Sequence, residues 1–184
     1  MLNYKSDAEN RLMKGKRISL RTPEPSDIDR LYAWENDTSV WRVSNTIVPY
    51  SRNDIEQFVL NTHHDIYAAK QLRLMIIKNG RSKTPAGAVD LFDFDPLHRR
   101  AGVGILIDEK ERGKGLAGEA LNLLRSYSFN TLNLHQLYCH IATENTLSIR
   151  LFSKAGFEIT GTMKDWTLSD GHWHDVVFMQ LINS

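Results

Sequence analysis

The stretch from Ile105 to Glu119 constrains this chain more than any other. Ile105-Leu106-Ile107 fits a buried strand, and the charged run Asp108–Glu111 cannot continue it. Gly113, Gly115 and Gly118 then lead into residues spaced for a helix, predicted over 115–131. Leu116, Ala117, Ala120, Leu121, Leu124 and Tyr127 share one face of that helix. Glycine at such a turn permits unusual backbone angles and lets a ligand approach the main chain closely. The free N–H groups at the helix start, together with the positive end of its dipole, make an anion site, and Arg112 and Lys114 add charge. This is chemistry for holding a phosphate or diphosphate.

Three readings of the turn compete. Gly113-Lys114-Gly115-Leu116-Ala117-Gly118 matches the dinucleotide pattern G-x-G-x-x-G, which would make the chain a nicotinamide-dependent dehydrogenase. In that fold, however, the glycines follow the strand almost at once, whereas four charged residues intervene here. No G-x-x-x-x-G-K-[ST] is present, which speaks against a P-loop. A plain structural turn that holds nothing is the second reading. The third needs the rest of the chain.

The remaining elements read as follows. Residues 17–21 alternate as a strand, and Ser26 is placed to cap a helix over 27–36. Ser51 with Asp54 opens a helix to about His63. Strands are expected at 72–77, 86–93 and 101–108, with a turn at Asn79-Gly80 and 82–85. After the glycine turn and its helix come a strand at 137–142, a helix over 145–154 ended by Gly156, and strands 157–162 and 176–181 around Asp170-Gly171. Hairpins first and a βαβ unit late predict an α/β fold with a mixed, mostly antiparallel central sheet and flanking helices. One domain over 16–184 is expected to follow a loose N-terminal tail, 1–15.

The third reading rests on two motifs. Arg112-x-x-Gly115-x-Ala117 resembles the coenzyme A diphosphate loop, Q/R-x-x-G-x-G/A, of the GCN5-related N-acetyltransferases. About thirty residues on, Asn145-x-x-Ser148-x-x-Leu151-Phe152-x-Lys154-x-Gly156-Phe157 resembles that family's second box, N-x-x-[AS]-x-x-[LV]-Y-x-K-x-G-F. The likeness covers 16 to 182. Within the family, Gly87–Asp93 through His98-Arg99-Arg100-Ala101 is similar to the spermidine N-acetyltransferases. The ribosomal-protein N-terminal acetyltransferases share the tail pattern Gly161…Asp170-Gly171…Trp173-x-Asp175.

The resemblance implies an acetyl-CoA-dependent enzyme that moves an acetyl group directly to a primary amine. A polyamine or other small amine comes first as acceptor, and a protein N-terminus second. It implies that the backbone of Leu106, Ile107 and Asp108 pairs with the pantetheine arm. The residues Arg112, Gly113, Lys114, Gly115, Leu116 and Ala117 would hold the diphosphate, and Asn145 would lie by the thioester, with Lys154 also at the cofactor. The family ranges from monomers to large rings, so a homo-oligomer is compatible.

Two positions depart from the pattern. Phe152 replaces the tyrosine that gives the leaving thiolate its proton, which leaves water, Ser148 or Ser153 for that task. Gly102 stands where relatives often carry a glutamate that serves as base. These departures motivate a further alternative, a non-catalytic CoA-binding sensor. An alkylamine is almost wholly protonated at neutral pH, so some group takes its proton. Asp90, with Asp93 and Asp95 behind it, is the candidate base or amine anchor, because acids facing the cofactor strand meet a cation. Trp34, Trp41 and Tyr50 are candidates to line the amine pocket, with Asp93 as a further substrate contact. The loop Asn45–Tyr50, which supplies acids in the spermidine enzymes, has none here.

Other features read blandly. His172-x-His174 puts two rings on one strand face, but no third ligand sits at fitting spacing, so no metal is expected. Cys139 reads as core, His63, His64 and His98 as surface or turn residues, and Asp108–Glu111 as a solvated turn. With 23 basic and 22 acidic residues among 184, neither nucleic acid nor a membrane surface is an expected partner. One cysteine and no apolar leader or spanning run fit a cytoplasmic protein.

Overall fold

The computed structural model describes residues 13–44, 46–61, 65–81 and 83–183, with side chains for all of these except 42–44. His63 and His64, read above as surface residues, lie outside the described residues, as do Asn45, Ser82 and most of the expected tail. Residues 13–15 of that tail turn back onto the first strand, β1 (Ile18–Arg21): Leu20 N–H donates to the Met13 carbonyl and Gly15 N–H to that of Ile18.

Four helices follow: α1 (Ile28–Glu35), α2 (Thr38–Ser44), α3 (Arg52–Leu60) and the single turn α4 (Ile66–Ala69). The capping box at Ser51 forms with Asp54 as the sequence suggests. The cap at Ser26 does not. A 3-10 turn, Pro25–Asp27, precedes α1, and Asp27 forks onto Arg21 at 2.6 and 3.0 Å while accepting from Glu24 N–H. Neither α2 nor α4 was expected, and the predicted helix to His63 ends at Leu60.

The sheet has seven strands in the order β1-β2-β3-β4-β5-β7-β6, with β2 (Leu72–Lys78), β3 (Pro85–Asp95), β4 (Arg100–Ile107), β5 (Gln136–Ala142), β6 (Glu158–Ser169) and β7 (His172–Ile182). All neighbours are antiparallel except β4 and β5, which the helix α5 (Leu116–Asn130) connects. The helix α6 (Thr146–Lys154) joins β5 to β6. The mixed, mostly antiparallel sheet with flanking helices is therefore present.

Side-chain alternation explains how both faces are covered. Leu74 and Ile76 of β2 point into the larger core, where Leu116, Ala120, Leu121 and Leu124 of α5 and Phe152 of α6 pack. Met75 and Ile77 point the other way, onto Leu31 and Trp34 of α1 and Ile55 and Val59 of α3. Cys139 is buried in the larger core, and burial pushes its thiol up to about 12, so it is no nucleophile at neutral pH.

Two details of the sheet position the site. The parallel β4–β5 pairing covers only Arg100–Gly102 against Gln136–Tyr138, and beyond it the strands part. The β6–β7 hairpin is much longer than expected and turns on Asp170 and Gly171, both at positive φ, as a two-residue hairpin turn requires. Among the described residues no helix is long and apolar enough to cross a membrane.

Candidate active site

The glycine turn is built as a rigid cradle. Gly113 and Gly115 take φ of 75° and 73°, so any side chain there would be strained, and Gly115 caps α5. From the far end of the chain, Arg17 clamps the loop. Its guanidinium donates to the carbonyls of Lys114 and Gly115 at 2.7 and 2.9 Å and to Glu119 at 2.8 Å. The Arg17 N–H also donates to Glu119, which approaches so closely that a Cβ on Gly15 would lie 2.4 Å from its carboxylate. A trans peptide sets C=O and N–H on opposite sides, so fixing these two carbonyls turns the N–H groups of Gly115 and Leu116 away from Arg17. They add to the exposed N–H groups at the start of a long helix.

The acidic run is not a free solvated turn. Asp108 accepts from Lys110 N–H, from Arg30 at 3.0 Å and from Trp34 at 3.1 Å. Burial acts to raise its carboxyl, but these donors outweigh it and hold it below the usual range. Glu111 binds Lys78 at 2.6 Å and Lys114 at 3.1 Å.

Beside the cradle lies a cavity of about 490 Å³. Of the residues expected at the cofactor, Leu106, Ile107, Arg112, Gly113, Gly115, Leu116, Ala117 and Asn145 line it. Asp108 and Lys114 do not, being held by the partners just described, and Lys154 stands exposed at the end of α6. A narrower cavity of about 200 Å³ passes through the gap where β4 and β5 part, lined from both sheet faces: Cys139 and Phe152 on one, Gly104 and His140 on the other. A third, about 560 Å³, has walls from Trp41, Ile47, Glu144, Leu168 and His174. Asn145 lines all three. Its side-chain oxygen caps α6 by accepting from Ser148 N–H at 3.1 Å. Its amide nitrogen has no partner among the described residues.

Phe152 is buried, packs edge-on against Phe157 and forms a wall of the gap. Of the two serines considered in its place, Ser148 lines the gap, whereas Ser153 is exposed elsewhere. Gly102 also has a structural cause. A Cβ there would meet the Phe92 ring at 2.2 Å, so Phe92 fills the space a glutamate would need. The other acids divide. Asp90 pairs with Arg73 through two contacts, 2.6 and 3.2 Å, and Arg73 also binds Glu35 and lies over the Phe58 ring. The trio carries a net negative charge on the sheet face that holds α1 and α3. Asp93 occupies a bulge at φ 48° and accepts from the Tyr138 hydroxyl at 3.4 Å. Asp95 holds the turn to β4 through His98 N–H and Arg100.

Of the expected substrate contacts, Trp41 lines the third cavity, anchored by its indole N–H on the Glu35 carbonyl at 2.7 Å. Tyr50 and Asp93 are not among the cavity walls. Tyr50 is exposed, its backbone bonded to Asn36. His174 pairs with Glu144 at 2.7 Å, and among the described residues no three potential ligands cluster for a metal. Arg17, Glu35, His140 and Glu144 were not singled out from the sequence. Only Glu144, next to Asn145, had a usable signal there.

Comparison with known proteins places the chain in a family. A model for an acetyltransferase (GNAT) domain matches residues 17–158. The spermidine N(1)-acetyltransferase of Vibrio cholerae is 28% identical over 172 residues, 91% of this chain and 94% of that protein. Its counterpart in Escherichia coli K12 is 30% identical over 165 residues, 88% of this chain and 84% of that one. A ribosomal protein uS5-alanine N-acetyltransferase of Escherichia coli matches a shorter part, 37% identical over 79 residues, 43% of this chain and 41% of that one. A crystal structure of the Vibrio cholerae spermidine enzyme in complex with CoA and spermine superposes with TM-score 0.82 at 27% identity, covering 91% of this chain and 96% of that one.

Proposed function

Because the chain belongs to the GNAT acetyltransferase family and is an N-acetyltransferase with acetyl-CoA as cosubstrate, we propose that its acceptor is a small, aliphatic polyamine. The residues present suit the cosubstrate: positive-φ glycines admit close approach, and an arginine-locked loop presents backbone donors beside a cavity that leads to the gap in the sheet. The N–H groups from Gly113 to Ala117 hold the diphosphate, the main chain of Leu106 and Ile107 pairs with the pantetheine amides, and the Asn145 amide nitrogen donates at the gap. Acetyl-CoA bound there would supply the acetyl group that the amine takes up, with the thiol of coenzyme A as the leaving group.

The observation that carries the acceptor is the third cavity. It meets the gap at Ala142, Asn145 and Thr167, and beside its apolar walls, Trp41, Ile47 and Leu168, it has one carboxylate, Glu144, which contacts His174 through one oxygen. Methylene segments suit the former and an ammonium the latter. Asp90, bound with Glu35 to Arg73, is not among the walls of the three cavities and takes no direct part in this reading. The relatives named for spermidine acetylation support the same class.

Thiol release with spermidine, a linear monoamine and a peptide with a free N-terminal alanine tests the assignment. Spermidine should exceed the monoamine in kcat/KM by about tenfold, roughly what one ionic contact supplies, and Glu144→Gln should erase that margin. A preference for the peptide would replace the polyamine with a protein N-terminus. Acetyl-CoA binding without any thiol release would identify a sensor.

A further inference from the structure

Acetylating an alkylammonium removes two protons from its nitrogen. One ends on the sulfur of the released thiol and the other in solvent. The residue types that commonly manage the second proton are missing here, since Gly102 carries no side chain and Asp90 is bound to Arg73. The proton then goes to another group at the gap or directly to water. We propose that His140 is that group, acting as the base, a reading that rests on the acetyltransferase function above.

The geometry leaves little choice. His140 lies on β5 where the strand parts from β4, and lines the gap on the face opposite Cys139 and the cofactor-side helices. The β4 positions that run alongside Tyr138 and His140 on that face, Gly102 and Gly104, are glycines flanked by Arg100 and Leu106, so no β4 side chain stands directly beside the ring. Tyr138, 5.6 Å away, and Phe178, 5.0 Å away, hold the ring by its faces and edge. Among the described residues neither ring nitrogen has a hydrogen-bond partner. The ring is also exposed, so a proton taken at the gap has a way out to water.

The charged surroundings agree. One side of the ring meets water while Tyr138 and Phe178 cover the rest, and this partial burial outweighs the pull of Asp93 from the β3 bulge, holding the imidazole below its ordinary value. The other titratable groups nearby are Tyr138, whose hydroxyl is raised by burial and meets Asp93, Asp90 with Arg73 across Gly104, and the Glu144–His174 pair on the acceptor side. None of these holds a ring nitrogen of His140. At neutral pH the ring is a neutral acceptor. It takes the proton from the ammonium on a nitrogen lone pair, which frees the amine's own lone pair for attack, and then passes the proton to water.

The test uses the full-length protein, the amine with the highest kcat/KM from the panel above, and three variants, His140→Gln, His140→Phe and His140→Ala. The phenylalanine keeps the ring packing on Tyr138 and Phe178. Acetyl-CoA affinity and melting temperature should stay near wild type in the phenylalanine variant, while kcat/KM at pH 7.5 falls by about 10²–10³-fold, the usual range for loss of a base. In the wild type, kcat/KM should fall tenfold per pH unit below the His140 ionisation seen by NMR in the unliganded protein, and this limb should vanish in the glutamine variant. Imidazole added to the alanine variant should restore part of the rate. Activity within about threefold of wild type, or a loss that keeps the acid limb and resists imidazole, would overturn the proposal. Failure of spermidine as acceptor would change only the amine used. Absence of thiol release from the wild type with every amine would instead overturn the enzyme assignment itself.

Discussion

Arg17 shows how a residue far from the motif fixes the geometry of its loop. Its planar fork matches two successive carbonyls, which lysine cannot reproduce with a single ammonium. Arg17→Ala should therefore weaken acetyl-CoA binding by about tenfold, the loss of a charge-assisted pair, with little change in kcat at saturation. The N-acetylcysteamine thioester, which lacks the diphosphate, gives the control: its kcat/KM should be unchanged in the variant. An equal loss with both donors would mean that Arg17 supports the fold rather than the loop. Nothing in the sequence marked this residue, because in isolation it is one of two arginines flanking an alternating strand. The motif glycines were legible since backbone geometry alone demands them. Partners across 97 residues of chain are not.

At the scale of elements, strands and helices with both periodicity and caps were readable, and those without were not. The capping box at Ser51 and the apolar face of α5 are local signals, and both elements form as expected. The short helices α2 and α4 carry too few apolar positions to set a period. The outer halves of β6 and β7 are exposed, so no alternation marks them, and pairing across the Asp170-Gly171 turn extends them instead. Pairing also explains the missing glutamate at position 102. Phe92 on β3 stands opposite Gly102 on β4 and occupies the space above it. Gly102→Glu should lower the melting temperature, with a cost of roughly 1–3 kcal/mol for overpacking, and Phe92→Ala should relieve part of it in the double variant. Strict additivity of the two changes in thermal unfolding would contradict this coupling.

Across the whole molecule, one feature organises the chemistry: a sheet that opens between its two parallel strands. The glycine loop borders one cavity beside that opening and the Trp41–Glu144 walls another, and Ser39 and Asn145 line both. The sequence made the first of these plain, since its motifs are contiguous. The proposed acceptor cavity draws on α2, β5, β6 and β7, whose convergence only the folded sheet reveals, and so the sequence pointed to Tyr50 and Asp93 while His140 and Glu144 were passed over. Calorimetric titration with acetyl-CoA, and separately with NAD, tests the central claim most directly. The account predicts one acetyl-CoA site per chain with a Kd well below about 1 mM, more than about 4 kcal/mol of binding free energy, and no heat from NAD. No acetyl-CoA binding at that concentration, or binding of NAD in its place, would contradict it.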